Sequence, residues 1–364
     1  MYNTPIAVLG GGNGGHTMAA DLTLAGYKVN FYEHPRFAEG FARVLETQVV
    51  KMTGIGRTGE ARLNLATTDM GEALAGVELI NVVLPAFGQE LFFEELMPHL
   101  KDGQIVVVWA GDFGSLRLDA MLKERGIGKD ITIVETNTLP YGTRLSGPGE
   151  VNLVLAAPKV LVSALPASKT ESVLPVLEEL WPGIMEPAVN VLMANLCNPN
   201  PICHPPGSLL NVGRIQYSGG DFRMYSEGIT EAVARVIRSL YDETAALGRA
   251  LGFEVLQYED RDFRTPGTIM AVAFQAPFNT LKIIGDIVGP KSIHDRYIIE
   301  DLPYGLVPMS QLGDKLGVET PLMDAIVTMG SYVCDIDFWK EGRTLEELGV
   351  ADMSKEELLA YVNG

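Results

Sequence analysis

Hydrophobic positions in the first half of the chain come in short β-branched runs separated by longer helical stretches. Ile6–Leu9, Lys28–Tyr32, Leu79–Leu84, Ile105–Trp109 and Ile131–Val134 are apolar at nearly every position, the pattern of strands covered on both faces in a parallel sheet. Strand–helix–strand alternation to about residue 185 predicts an open α/β domain. Val151–Ala167 is interrupted by Pro158, Lys159 and Pro166 and reads as two strands. After about residue 190 the strand pattern stops. From Ser226 to Leu251, the residues Ile229, Val233, Val236, Leu240, Leu247 and Leu251 recur at helical spacing. Thr320 before Pro321 reads as an N-cap with proline in the first turn. Thr344…Glu347 and Ser354…Glu357 match the capping box and predict two short closing helices. The expectation is a domain over 1–190 followed by an all-α domain over 191–364, meeting at a short joint near 185–197.

Immediately after the first strand stands Gly10-Gly11-Gly12-Asn13-Gly14-Gly15, in which Gly10, Gly12 and Gly15 satisfy G-x-G-x-x-G. The first glycine allows the tight turn, the second lets backbone approach a pyrophosphate, and the third lets helix and strand pack closely. The helix that follows offers free N–H groups and a partial positive charge to phosphates. Glu33 closes the second strand, where a carboxylate accepts hydrogen bonds from an adenosine ribose diol. The first domain is therefore read as a Rossmann fold, a doubly wound parallel sheet, with Gly10, Gly12, Asn13, Gly15 and Glu33 as cofactor residues. Glu33 would repel a 2′-phosphate and favours NAD; nearby Arg36 keeps NADP open. Pro85, in Leu84-Pro85-Ala86-Phe87-Gly88 after a later strand, belongs to a loop placed to cover the cofactor, or to a simple turn.

Composition narrows the class. The chain has 364 residues, 47% hydrophobic and 20% charged, so it is globular with a large core. Its formal net charge is −18, spread over both halves, which disfavours nucleic acid and anionic membrane surfaces as partners. Three cysteines do not make a disulfide framework. With no signal-peptide pattern and no apolar run of spanning length, the expected location is the cytoplasm.

A nicotinamide enzyme acting on a carbonyl or imine needs a proton donor, and five histidines are available: His16, His34, His99, His204 and His294. His16 is placed near phosphate, His34 after the second strand, and His99 on a surface turn. His204 lies in the proline-rich segment Asn198–Gly207, near the expected domain joint. Pro205 biases it away from helical geometry, and the prolines make a rigid mount for a general acid/base. A hydrogen-bonded structural histidine explains the same residues. Cys197, Cys203 and His204 match no usual metal spacing, and no metal is expected. A second polar cluster runs His294-Asp295-Arg296-Tyr297-Ile298-Ile299-Glu300-Asp301-Leu302-Pro303-Tyr304-Gly305. Arginine suits bidentate capture of a carboxylate, and an aspartate behind a histidine fixes its tautomer. By spacing alone this is a charged helix end followed by a loop.

Together the glycine loop, Glu135-Thr136-Asn137-Thr138-Leu139-Pro140-Tyr141, the proline-flanked His204-Pro205-Pro206-Gly207 and Arg296–Leu306 resemble the octopine/nopaline (opine) dehydrogenase family. The resemblance covers nearly the whole chain. It implies a Rossmann domain followed by an all-helical domain, and NAD(P)H-dependent joining of an amino acid's amine to a 2-oxo acid, pyruvate being the expected one. It further implies that His204 is the proton donor/acceptor, that Asp301 orients and charges it, and that Arg296 completes the polar triad and anchors a substrate carboxylate.

The amino acid is not selected. Asp221, Glu227, Asp260 and Asp262 are candidate partners for a cationic side chain, and Tyr225, Phe274 and Phe278 for an apolar one, with solvated surface and ordinary core as the plainer explanations. A hydroxy-acid or sugar-acid dehydrogenase and a non-catalytic NAD(H) sensor are the rival functions. An apolar helix face serves its own domain or a second subunit, and a homodimer is the expectation.

Overall fold

The computed structural model describes residues 2–255 and 288–364. Their contacts divide into two units, residues 1–194 with 362–364, and residues 195–361. The division at 194/195 falls within the joint expected near 185–197, and residues 362–364 return to the first unit. Val362 is fully buried, and Asn190 Nδ2 donates to Asn363 Oδ1 at 3.0 Å.

The first unit holds strands β1 (Ile6–Leu9), β2 (Val29–Tyr32), β3 (Val49–Gly54), β4 (Gly59–Arg62), β5 (Leu65–Thr67), β6 (Leu79–Val82), β7 (Ile105–Val108), β8 (Thr132–Thr136), β9 (Tyr141–Gly147), β10 (Glu150–Ala156), β11 (Val160–Leu165) and β12 (Met185–Pro187). Its helices are α1 (Asn13–Leu24), α2 (Ala38–Thr47), α3 (Met70–Ala73), α4 (Ala86–Leu96), α5 (Gly114–Glu124) and α6 (Thr170–Leu180), with α7 (Val191–Leu196) at the boundary. Eight strands form one sheet in the order β12-β11-β8-β7-β6-β1-β2-β5. From β5 to β8 every pair is parallel; β11 runs antiparallel to β8, an exception the hydrophobic pattern did not indicate. Both faces are covered: Ile6 and Val8 join one core with Phe31 and Phe41, while Ala7 and Leu9 join another with Ile80, Val82 and Phe92. That double burial is why the strands read as unbroken apolar runs.

Strand order reverses at β1, which lies between β2 and β6. Ile6 pairs with both Val29 and Leu79, so the three strands end level and their following loops share one edge. Ligands of open α/β sheets bind at such a switch point. A second sheet, β4-β3-β10-β9, lies outside the expectation from sequence. It is tied to α1 by Thr17 Oγ1 to Thr143 Oγ1 at 2.6 Å and Tyr141 OH to Asp21 Oδ2 at 2.9 Å.

The second unit is helical among its described residues: α8 (Asn200–Leu209), α9 (Val212–Ser218), α10 (Glu231–Leu251), α11 (Arg296–Ile299), α12 (Val307–Leu316), α13 (Pro321–Cys334), α14 (Phe338–Glu341) and α15 (Lys355–Asn363), whose end joins the first unit. Two wider turns, Met224–Gly228 and Asp301–Leu306, have π-helical geometry.

Several local expectations change. His204 is inside α8, not in a loop, although Pro205 and Pro206 each remove a backbone donor from its ladder. The whole stretch Pro201–Leu209 is buried, and tertiary packing outweighs two missing hydrogen bonds. Helix α10 starts at Glu231, behind a Thr230 cap, and buries Ile237 rather than Val236. Thr320 makes no side-chain cap; Glu243 instead accepts from Leu322 N and Met323 N at 2.8 and 3.0 Å. Both capping boxes form, but only the one at Ser354 opens a helix, and Thr344 begins a single turn. Among the described residues no helix is long and apolar enough to cross a membrane.

Candidate active site

The glycines of the loop meet three different surroundings. Gly10 has φ +108°, and a Cβ there would stand 2.6 Å from Val83 O. At Gly15 a Cβ would lie 1.7 Å from Gly10 O, so helix and loop touch only because it is absent. At Gly12 a Cβ would meet nothing within 4 Å. Backbone there faces open space at the N-terminus of α1, whose first turn carries no acidic residue. These are the features a pyrophosphate needs.

Glu33 is almost fully buried and accepts from Gly11 N and His34 N, both at 2.8 Å. Burial pushes its carboxyl up, and the two N–H donors pull it back. A carboxylate has about four acceptor positions, and two of them remain. Glu33 thus also braces the loop, a role its spacing alone did not suggest. Asn13 opens α1, and its Oδ1 accepts from Leu145 N at 2.7 Å, so this side chain ties the second sheet to the glycine loop. Pro85 precedes α4 on the loop after β6, beside Leu84, whose Cδ2 would lie 2.5 Å from a Cβ on Gly10. Gly10, Gly12, Gly15, Glu33 and Pro85 therefore surround one switch-point edge. Arg36 is exposed on the turn after β2.

His16 lies beside the glycine loop. It is buried with its ring edge-on to Phe31 and Phe41 and Nδ1 on Gly12 O at 3.1 Å. Burial lowers its pKa. His34 bonds Arg36 N and Glu95, while His99 and His294 are exposed.

His204 differs from all of these. Its Nδ1 lies 2.8 Å from Asp301 Oδ2 and its Nε2 lies 2.9 Å from Tyr225 OH. Tyr297 stacks on the imidazole at 3.9 Å between centroids and 9° between planes. His204, Asp301 and Tyr225 are all buried. Each comes from a different element: α8, the π turn Asp301–Leu306, and the π turn Met224–Gly228. Such turns carry an extra residue and re-aim side chains, and they recur at functional sites. Burial, then the charge of Glu300, pushes the Asp301 carboxyl well up, with Arg296 opposing. Asp301 faces the imidazole directly, with Oδ2 2.8 Å from Nδ1.

Arg296 is half exposed, and its Nε contacts Glu300 Oε2 at 2.9 Å. The sequence joined it to His204 and Asp301; its ion pair is with Glu300, one residue before Asp301. Tyr225 and Tyr297 were not singled out as partners of the histidine. Of the substrate-recognition candidates, Asp221 pairs with Arg223 and Glu227 with Arg214 on the surface. Asp260, Asp262, Phe274 and Phe278 lie outside the described residues. Cys197, Cys203 and Cys334 are buried thiols, and burial raises the pKa of Cys334 to about 11. No cluster fit for a metal occurs among the described residues.

Residues 187–334 match the family model described as NAD/NADP octopine/nopaline dehydrogenase, alpha-helical domain. Over 96% of its length the chain is 32% identical to the opine dehydrogenase of Arthrobacter sp. (strain 1C), covering 96% of that protein. The chain belongs to the opine dehydrogenase family. It is an NAD(P)-dependent oxidoreductase acting on a CH–NH bond. The fold agrees. An octopine dehydrogenase solved with NADH and agmatine superposes with a TM-score of 0.77 at 19% identity, covering 98% of both chains. An octopine dehydrogenase solved with NADH and pyruvate gives 0.73 at 18% identity, covering 96% of this chain and 97% of that one.

Proposed function

We propose that this opine dehydrogenase condenses an amino acid with pyruvate and reduces the product to a secondary-amine dicarboxylate, with His204 as acid–base group, Asp301 as its orienting partner and Arg296 as a carboxylate anchor. The observation that carries the assignment is the buried His204–Asp301 pair, 2.8 Å long, under the ring of Tyr297. The glycine loop and Glu33 suit NAD(H), with NADP not excluded, and the bound cofactor supplies a hydride. Overall, one amine, one oxo acid, one hydride and one proton give the product and water.

The chain's own residues handle the protons and the charge. Asp301 accepts from Nδ1–H, which leaves Nε2 as the nitrogen that takes up or releases a proton. Loss of water from the amine adduct needs a proton on the departing oxygen, and Nε2 is its source. In the oxidative direction the same nitrogen takes the proton back. Tyr297 covers one face of the imidazole and fixes its plane. Arg296, oriented by Glu300, presents a planar fork suited to a carboxylate.

The test is loss of NADH absorbance with purified protein, pyruvate and pooled amino acids, each omitted in turn. Oxidation should require both the oxo acid and the amine and should fall at least 100-fold in His204→Ala. Turnover with pyruvate alone would move the chain to hydroxy-acid chemistry.

A further inference from the structure

An imidazole nitrogen has one in-plane direction in which to bond, and on His204 Nε2 that direction is taken by Tyr225 OH at 2.9 Å. Nδ1 is taken by Asp301. A proton passing between His204 and a substrate must therefore travel through the tyrosine hydroxyl, or the tyrosine must first leave.

The packing around Tyr225 decides between these. Its turn, Met224–Gly228, is clamped to α8, the helix that carries His204. Asn211 Nδ2 donates to Gly207 O at 2.9 Å and to Gly228 O at 3.0 Å, joining helix and turn through one side chain. Gly207 admits Met224 so closely that a Cβ would stand 2.7 Å from its Sδ. At Gly228 a Cβ would stand 2.6 Å from the Phe222 ring and 3.3 Å from Gly207 O. Two glycines and a forked amide hold the turn, and Tyr225 itself is buried. A residue mounted this way transmits a proton in place.

We propose that Tyr225 is a further catalytic residue, the terminal link of an Asp301–His204–Tyr225 proton relay. In the forward direction the Nε2–H bond breaks as a bond from that hydrogen to the tyrosine oxygen forms. At the same time the original O–H hydrogen passes to the departing substrate oxygen, which leaves as water. Tyr225 is a neutral phenol before and after, no electrons change hands, and His204 regains its proton from solvent. The proposal rests on the opine dehydrogenase reading and specifies which atom meets the substrate.

Tyr225→Phe removes the hydroxyl and keeps the ring. The full chain is assayed with NADH, pyruvate and an equimolar pool of the twenty standard amino acids, beside wild type and His204→Ala, with thermal unfolding measured for each. The relay predicts a fall in kcat of about 100-fold or more with KM for pyruvate changed less than threefold. It also predicts a curved dependence of wild-type rate on deuterium fraction, from two protons in flight. A Tyr225 that served only as a packing partner would not produce that curve. A Tyr225→Phe enzyme with wild-type kcat, or a faster one because Nε2 is freed, overturns the relay while leaving the function intact. A wild-type rate strictly linear in deuterium fraction overturns it as well. A wild-type protein inert with every amine overturns the opine reading and the relay with it.

Discussion

Asp301 shows how much of the site depends on single side chains. A carboxylate this deeply buried is tolerable because His204 lies against it, and exchanging it for an amide removes the charge that supports the imidazolium and lets an N–H group face Nδ1, favouring the wrong tautomer. Asp301→Asn should lower kcat by about 10²–10⁴-fold with little change in NADH affinity, measured by steady-state kinetics and fluorescence titration. His16 makes a separate prediction about pH. Its folded-state pKa is depressed by burial, so its contribution to stability is present above the ordinary histidine value of about 6.5 and is lost as pH falls through the lower folded value. Below pH 6.5 the unfolded chain takes up a proton that the folded chain refuses. His16→Leu should flatten the fall in Tm between pH 6.5 and 5. The residues carrying this chemistry were unequally visible in the sequence. His204, Asp301 and Arg296 were marked by family resemblance, because proline and charge patterns surround them. Tyr225 and Tyr297 were not, because hydropathy registers a tyrosine's ring, and here the role belongs to a hydroxyl and to a ring plane set by the fold.

At the scale of elements, the glycine loop gives a paired test. Gly12→Ala adds a methyl to open space and should leave Tm unchanged while weakening NADH binding at least tenfold. Gly15→Ala forces Gly10 O aside and should cost about 1–3 kcal/mol or more of stability as well, seen as a lower Tm. Five central strands could be read directly because both their faces are buried. The second sheet could not. On β3 buried Val50 and Met52 alternate with exposed Lys51 and Thr53, a four-residue signal outweighed by the stronger apolar runs, and β4 buries only Ala61. Helix α8 misled for a different reason: local rules forbid two interior prolines, but they do not count the packing that buries Pro201–Leu209. The π turns were equally hidden, since nothing in a sequence marks the one extra residue that makes an i→i+5 bond.

Across the whole molecule the net charge of −18 opposes an anionic oxo acid and an anionic cofactor alike. Screening should therefore help encounter: kcat/KM for pyruvate should rise between 10 and 150 mM salt, the reverse of an electrostatically steered enzyme, in initial-rate measurements. A falling kcat/KM would show that the local field of Arg296 outweighs the global charge. The return of residues 362–364 to the first unit makes the helical unit a guest inserted into a host, rather than a module added at its end. During synthesis every strand of both sheets is made before residues 362–364, which belong to the same unit. Clipping those three residues would thus injure the nucleotide-binding host, and a designer wishing to exchange helical units must cut at two seams instead of one.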